Sequence, residues 1–387
     1  NHQEHGEKNM TQNRRDFLKT AALGGLVAGT GSFASGVAEG AIKGKKAPHD
    51  MQSDGTYSTV ELAKPNVTLG VVQTPVRALR VTQWKKDLKA NLDEMLSAID
   101  KAFHFGVGPD ILFFHEFPIT GWDTWTRKEI VKFALEIPGP ESEQVAAKAK
   151  QHNCMIVFGS YVNDPDWPNH ILSVTTMIGP DGEIVDKHWK ARNIKGVFPG
   201  FELFTTTIYD VLDEYVEMYG EDAILPVTRT AFGNIATSSI QREPELFRAM
   251  AMKGAEIFLR TATGGFTPLD MQATSLYNGV YTAICNNAVS PDNPNFFDDA
   301  GSGGTAVYGP RGEVVAEADT KFETLVRARI PIASFRQRNR QPIVHMELYR
   351  EVFDQYDNPY GPNLFSGYLP SDLQDAKQYL ADKSKWK

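Results

Sequence analysis

The spacing of hydrophobic positions changes repeatedly along this chain, and each change marks an element. Residues 67–73 (VTLGVVQ) are rich in β-branched side chains and read as a strand. Over 87–105, Leu88, Leu92, Met95, Ile99 and Phe103 recur at helical spacing and predict an amphipathic helix. The short apolar run 111–114 has the pattern of a strand buried on both faces. A helix over 141–152 and strands over 155–161 and 172–178 follow. Gly179-Pro180-Asp181-Gly182 is then a strong turn signal, with a return strand over 183–185.

A second hairpin echoes the first. Residues 305–308 run into Gly309-Pro310-Arg311-Gly312 and return over 313–315. Between the two GPxGE turns lie strands predicted over 232–236, 255–259 and 281–286, and a helix over 244–253. Strands separated by helices predict α/β layers, and the hairpins make the sheets mixed. The pattern predicts two similar β-rich halves stacked in one domain over 65–335. Residues 336–387 form a tail whose Tyr349, Phe353, Tyr356, Tyr360, Phe365 and Tyr368 suit docking on a partner subunit or on the chain's own core. The acidic, aromatic stretch 201–221 reads as an insertion able to form a lid or an interface.

The N-terminal region has a different pattern. Residues 1–8 are polar and precede Met10, after which MTQNRRDFLK leads into a small, apolar run over 21–37. A charged start, a short apolar stretch and small residues near 34–41 describe a signal peptide over 10–41. The run is too short and glycine-rich to span a bilayer of ~30 Å. Arg14-Arg15 followed by Asp16-Phe17-Leu18-Lys19 resembles the twin-arginine motif, which implies export of a folded protein to the periplasm or beyond. Residues 42–64, with Lys43, Lys45 and Lys46, read as a flexible connecting segment.

Composition narrows the function. Of the 387 residues, 41% are hydrophobic and 23% charged, which excludes disordered and collagen-like chains. The net charge of -8 argues against nucleic-acid or anionic-membrane partners. Two cysteines, Cys154 and Cys285, are too few for a disulfide framework, and the nine histidines show no metal-ligand spacing. Neither a metal nor a cofactor is expected.

Three places can carry chemistry. Glu116, in HEFPITG, follows the buried strand 111–114, where burial suits a carboxylate to general-base work. Lys190, in DKHWKARN, can stabilise an oxyanion. Thr237-Ser238-Ser239 ends a strand and turns into a Pro-started helix, the layout of a nucleophile-bearing turn. Taken singly, each is also what a solvated strand end, a surface lysine or a serine pair in a loop looks like. HExxH fails at Ile119, and no GxSxG elbow or GxxxxGK[ST] loop is present. Ser238-Ser239 with GSGGT at 301–305 is loosely similar to serine amidases, but in reversed order.

Order and spacing are more specific than any one residue. The anchors VTLGVVQ, FFHEFPITG, GPDGEIVDKHWKARN, GVFPG, EPELFRAMAMKGAEIFLR, YTAICNNA and GPRGEVV cover most of 67–330. Through them the chain resembles the nitrilase superfamily of carbon–nitrogen hydrolases, and within it the aliphatic amidase and formamidase branch. The resemblance implies a four-layer αββα sandwich of two mixed β-sheets flanked by helices, no cofactor, and a homo-oligomer. It implies a Glu–Lys–Cys trio, matched by Glu116, by Lys190 (Lys187 being the alternative register) and by Ser238 in the cysteine position. Cys154 and Cys285 fall in core positions. Two further departures accompany Ser238: Lys195 stands where the amidase branch has a second glutamate, and Ile240 where an acidic residue is common. Phe117 and Trp189 are expected to shape the pocket, with Trp189 also read as a packing residue, and Ser239 and Lys195 to contact the ligand.

Two functions follow from these residues. One is an exported amidohydrolase acting on a small amide, with Ser238 attacking, Glu116 moving the proton and Lys190 holding the oxyanion. The other is a non-catalytic protein that kept the pocket and binds a small amide or carboxylate, with Lys195 beside Lys190.

Overall fold

The computed structural model describes residues 52, 54–104, 106–193, 204–296 and 299–386. The predicted signal peptide, residues 42–51 and 53 of the connecting segment, Lys195 and the GVFPG turn at 196–200 lie outside the described residues.

In chain order the first half contains β1 (Val67–Gln73), α1 (Trp84–Ala102), β2 (Ile111–Phe114), α2 (Pro140–His152), β3 (Met155–Val162), β4 (Leu172–Ile178) and β5 (Ile184–Trp189). After α3 (Leu212–Tyr219), the second half contains β6 (Thr228–Thr230), β7 (Gly233–Ser238), α4 (Pro244–Met252), β8 (Ile257–Thr261), α5 (Pro268–Asn278) and β9 (Tyr281–Cys285). It continues with β10 (Ala306–Tyr308), β11 (Val314–Glu317) and β12 (Thr324–Ile330), then α6 (Ile332–Arg338) and α7 (Leu373–Ala381).

The strands form two six-stranded sheets, ordered β12-β1-β2-β3-β4-β5 and β11-β10-β9-β8-β7-β6. In the first, β1, β2 and β3 are parallel and β4 and β5 return antiparallel. In the second, β7, β8 and β9 are parallel and β10 and β11 return antiparallel. The echo of the two GPxGE turns is therefore structural: each closes a hairpin at the end of a three-stranded parallel unit.

Alternation along the strands sets the layers. Leu69, Val71, Ile111, Phe113, Met155 and Val157 point between the sheets, against Ile235, Ile257, Leu259 and Ala283. Leu112 and Phe114 face outward onto Leu88, Leu92, Met95 and Ile99 of α1. Ala236 and Phe258 face outward onto Leu246, Phe247 and Met250 of α4. The result is helices, sheet, sheet, helices: an αββα sandwich. Full burial of each such side chain is worth roughly 1.5–3 kcal/mol, so the layers enforce the register of each strand.

Most elements fall where the periodicity places them. The helix expected over 87–105 begins three residues earlier, because Asp87 turns back to accept from the Arg80 backbone N–H (2.8 Å) and guanidinium. The strand expected over 183–185 continues to Trp189, paired throughout with β4. The strand β12 was not expected; its outward positions are charged, and it is held by antiparallel pairing along all of β1.

Three peripheral segments differ from expectation. The described residues 54–64 of the connecting segment are tied to the core rather than flexible. Tyr57 donates to Glu256 (3.0 Å), Arg336 reaches the Val60 carbonyl (2.7 Å), and the Ala63 N–H reaches the Ala231 carbonyl (2.9 Å). In the stretch 201–221, the described part from Phe204 onward packs into the outer core through Phe204, Ile208, Val211 and Tyr215. The tail divides: Leu364, Phe365, Tyr379 and Leu380 are buried in the chain's own core, whereas Tyr349, Phe353 and Tyr356 are exposed. No helix among the described residues is long and apolar enough to cross a membrane.

Candidate active site

The C-terminal ends of β2, β5 and β7 converge, and each delivers one of the three expected groups. Glu116 lies two residues beyond β2, Lys190 directly follows β5, and Ser238 ends β7. All three line one cavity of about 10 Å³, together with Gly159, Ser173, Thr175, His188, Thr237 and Ser239. That is room for about one water molecule, so a ligand's acyl group must be small or must move side chains. The Lys190 ammonium stands 3.8 Å from Glu116 Oε1, and the two side chains are 7% and 10% exposed. Such a desolvated pair interacts far more strongly than one on the surface.

The turn that presents Glu116 is held from several sides. His115 is fully buried, accepts at Nδ1 from the Phe117 N–H (3.1 Å) and meets the Thr74 hydroxyl at Nε2 (3.0 Å). Burial pushes its pKa down to about 3, so the ring is neutral and Nε2 carries the proton. Gly159 on β3 permits the close approach of the two strands. A Cβ there would stand 2.5 Å from the Glu116 carbonyl oxygen and 2.6 Å from its Cα. On the opposite side, the Thr263 hydroxyl donates to Glu116 Oε2 (2.7 Å).

Ser238 is held differently. Its Oγ accepts from the Ile240 backbone N–H (3.1 Å), a bond that favours negative charge on that oxygen. Beneath this turn, the buried Arg260 donates to the Ile240 carbonyl (2.6 Å) and to Asp270 Oδ2 (2.8 Å). The same carboxylate oxygen accepts from the Arg242 N–H (3.1 Å), and the guanidinium lies 4.0 Å from the Phe247 ring centroid. Burial lowers the Arg260 pKa to about 10, against the pull of Asp270, and the group stays charged. The pair thus fixes both sides of the turn at 240–242, where Arg242 has a φ of 59°.

Two contacts join the sheets beside the cavity. His188 Nδ1 meets the Thr237 hydroxyl (3.0 Å), while its Nε2 meets Thr228 (2.8 Å) and Asp186 (3.3 Å). Burial works against charge on Asp186, yet His188, Thr228 and the Lys187 N–H outweigh it and hold the pKa at about 2. Past Lys190, Arg192 pairs with Glu243 and donates to the Gln241 carbonyl (2.9 Å). These contacts were not anticipated. His188 and Arg192 lie in the DKHWKARN motif, but nothing in the sequence shows which face of the strand they occupy.

The remaining predicted residues are placed as follows. Ser239 lines the cavity. Trp189 also borders it, but its ring packs on Trp167 and Tyr215, with centroids 5.2 and 5.1 Å away. Phe117 is not brought to the cavity: beyond the end of β2 its ring stacks on Tyr161 at 4.3 Å within the outer core. Lys187 points elsewhere, to the Ile137 carbonyl (3.2 Å) and Asp164 (3.8 Å), which leaves Lys190 as the cavity lysine among the described residues. Burial raises both thiols, Cys154 to about 12, and Cys285 donates to the Val72 carbonyl (3.1 Å). No cluster of potential metal ligands occurs among the described residues.

Comparison with known proteins agrees with this architecture. The carbon–nitrogen hydrolase model matches residues 68–340, and the chain belongs to that family, the nitrilase superfamily. The chain is 25% identical over 248 residues to nitrilase 3 of Arabidopsis thaliana, an alignment covering 58% of this chain and 63% of that protein. It is 25% identical over 281 residues to a formamidase of Bacillus thuringiensis, covering 69% and 71% respectively. Saccharomyces cerevisiae Nit3, a member of branch 10 of the nitrilase superfamily, shares the fold with a TM-score of 0.55 at 19% identity, over 72% of this chain and 96% of that one.

Proposed function

We propose that the protein hydrolyses the C–N bond of a small amide, with Ser238 as nucleophile. The observation that carries this reading is the shared cavity: a carboxylate, an ammonium and a hydroxyl from three strand ends line one small, polar space. Ser238 Oγ attacks the carbonyl carbon while Glu116 takes the hydroxyl proton. Lys190 and a backbone N–H near Ser239 hold the resulting oxyanion. Glu116 then passes the proton to the departing nitrogen, and ammonia leaves an ester on Ser238. Water, deprotonated by Glu116, attacks that ester; the acid departs and the proton returns to Ser238.

Serine requires a stronger base than cysteine, whose thiol ionises near ~8.5. The Ile240 N–H on Ser238 Oγ supports the reading, since it stabilises the attacking oxygen as charge develops. Ammonia release from short aliphatic amides by the wild type and by Glu116→Gln tests it. The expected result is at least a ~100-fold loss in the variant; equal rates remove the proposal. Ile240, buried and apolar beside Ser238, favours a second reading, a binding protein for a small amide or carboxylate. Saturable binding of acetate with no turnover of amides selects it.

Export through the twin-arginine route and homo-oligomerisation belong to the same proposal. They are supported by Arg14-Arg15 and the apolar run after it, and by the exposed Leu348, Val352, Phe353 and Tyr356 of the tail. Truncation after Tyr349 followed by a mass measurement tests the second point, and an unchanged oligomer dismisses the tail's role.

A further inference from the structure

The loop after β8, which rests on the glycine-rich strip at 301–304, plays no part in the chemistry described above, yet it reaches Glu116. Thr263 donates to Glu116 Oε2 at 2.7 Å, while the other oxygen, Oε1, faces the Lys190 ammonium at 3.8 Å. The two carboxylate oxygens are therefore in different environments, one accepting from a neutral hydroxyl and the other facing a cation. We propose that Thr263 is a positioning residue for Glu116, fixing the carboxylate so that Oε1 is the oxygen presented to the proton being moved. This inference rests on the reading of Glu116 as the general base.

The loop bearing Thr263 is built to hold that hydroxyl in place. The Ala262 N–H donates to the Cys285 carbonyl (2.8 Å), and the Gly264 N–H donates to Asn287 Oδ1 (2.7 Å). Gln241, from the nucleophile turn, donates to the Gly265 carbonyl (3.2 Å). Gly264 and Gly265 have φ of 78° and 120°, which side chains rarely adopt. Gly301 packs directly on the loop: a Cβ there would lie 2.2 Å from the Gly264 carbonyl oxygen. Gly301 is in turn fixed by Asn286, which donates to its carbonyl (2.7 Å) and to that of Gly303 (2.8 Å). Thus the NN pair after β9 and the GSGG strip form a scaffold behind the loop that carries the Thr263 hydroxyl to Glu116.

A hydrogen bond donated to a carboxylate favours its charged form, so removing the hydroxyl shifts the titration of Glu116 upward. Among the described residues, Lys190 and His188 are the other ionisable side chains lining the cavity, and His115, adjacent in the chain, is turned to Thr74. None of these is altered by changing Thr263. The full chain labelled with ¹³C at glutamate carboxyls is titrated by NMR, with the Glu116 signal assigned by its disappearance in Glu116→Gln. Thr263→Val, and Thr263→Ala as a second variant, are expected to raise the midpoint by about one pH unit. Thr263→Ser, which keeps the hydroxyl, is expected to titrate like the wild type. A midpoint unmoved in both Val and Ala, or moved equally in Ser, overturns the proposal. In the amidase assay, the acid limb of kcat/KM should move with the same pattern. A wild type that releases no ammonia defeats the proposed activity, while the titration still decides the role of Thr263.

Discussion

The two halves of the sandwich present their reactive groups by different means. In the first half, the turn that carries Glu116 is positioned by a buried uncharged imidazole, a glycine that admits a neighbouring strand, and a threonine hydroxyl, while the carboxylate itself faces the Lys190 ammonium. In the second, Ser238 sits on a turn clamped by a buried ion pair, Arg260–Asp270, that grips backbone atoms on either side. The difference follows from the demands on each group. A base needs a carboxylate that can still accept a proton, and a hydroxyl and a fixed backbone turn orient it without adding charge of their own. A nucleophile needs a fixed direction of attack, and a charged clamp on the backbone supplies that without touching the hydroxyl.

The largest expected effect is on the clamp. Asp270→Ala leaves the Arg260 guanidinium uncompensated in the core, and we expect a stability loss of about 3 kcal/mol in denaturant unfolding. An unchanged midpoint breaks the comparison, because the second half would then not depend on its ion pair. Next in size is Gly159→Ala. The new methyl group meets backbone atoms of Glu116, which cannot swing aside, so a stability cost of about 1–3 kcal/mol is expected. Activity should fall by more than that cost explains, since the base itself is displaced; a variant with full amide hydrolysis contradicts the close-approach role.

A smaller effect separates the halves by pH. His115 is held neutral in the fold with a pKa of about 3, and His170, also in the first half, is pushed down to about 4 by burial. The unfolded chain protonates both below about 6.5, so it binds more protons than the fold and stability falls with acidification. Each group contributes a slope of about 1.4 kcal/mol per pH unit between about pH 6 and 5, and that of His170 fades toward pH 4 as the folded ring takes up its own proton. Urea midpoints measured across that range should fall, and His115→Gln should remove one group's share of the slope. An identical slope in the variant shows that His115 is not the neutral support described.

Much of this arrangement was legible in the chain. Period and turn chemistry located β1, β2, β4 and the two GPxGE hairpins, because buried parallel strands and tight turns carry strong local signals. Glu116, Lys190 and Ser238 were picked out as a trio by the resemblance to the nitrilase superfamily, each being ambiguous when taken singly. What was not visible depends on contacts between elements that the folded chain brings together. The His188–Thr237 bridge, the Arg260–Asp270 clamp and the Thr263 contact join residues 10 to 147 positions apart. No local pattern encodes such pairs. Phe117 was expected in the pocket from proximity in sequence, and the turn beyond β2 sends it to the outer core instead. The tail was read as one docking segment, but only geometry separates Phe365, buried at home, from Phe353, left exposed.

The central claim is that Glu116, Lys190 and Ser238 act on one substrate in one cleft. It is tested most directly by treating the protein with a short-chain activated acetyl ester, quenching, and locating the acetyl group by peptide mass mapping. The account predicts acetylation of Ser238 in the wild type, with strong reduction in both Glu116→Gln and Lys190→Met. Labelling that avoids Ser238, or that is equal in all three proteins, contradicts it.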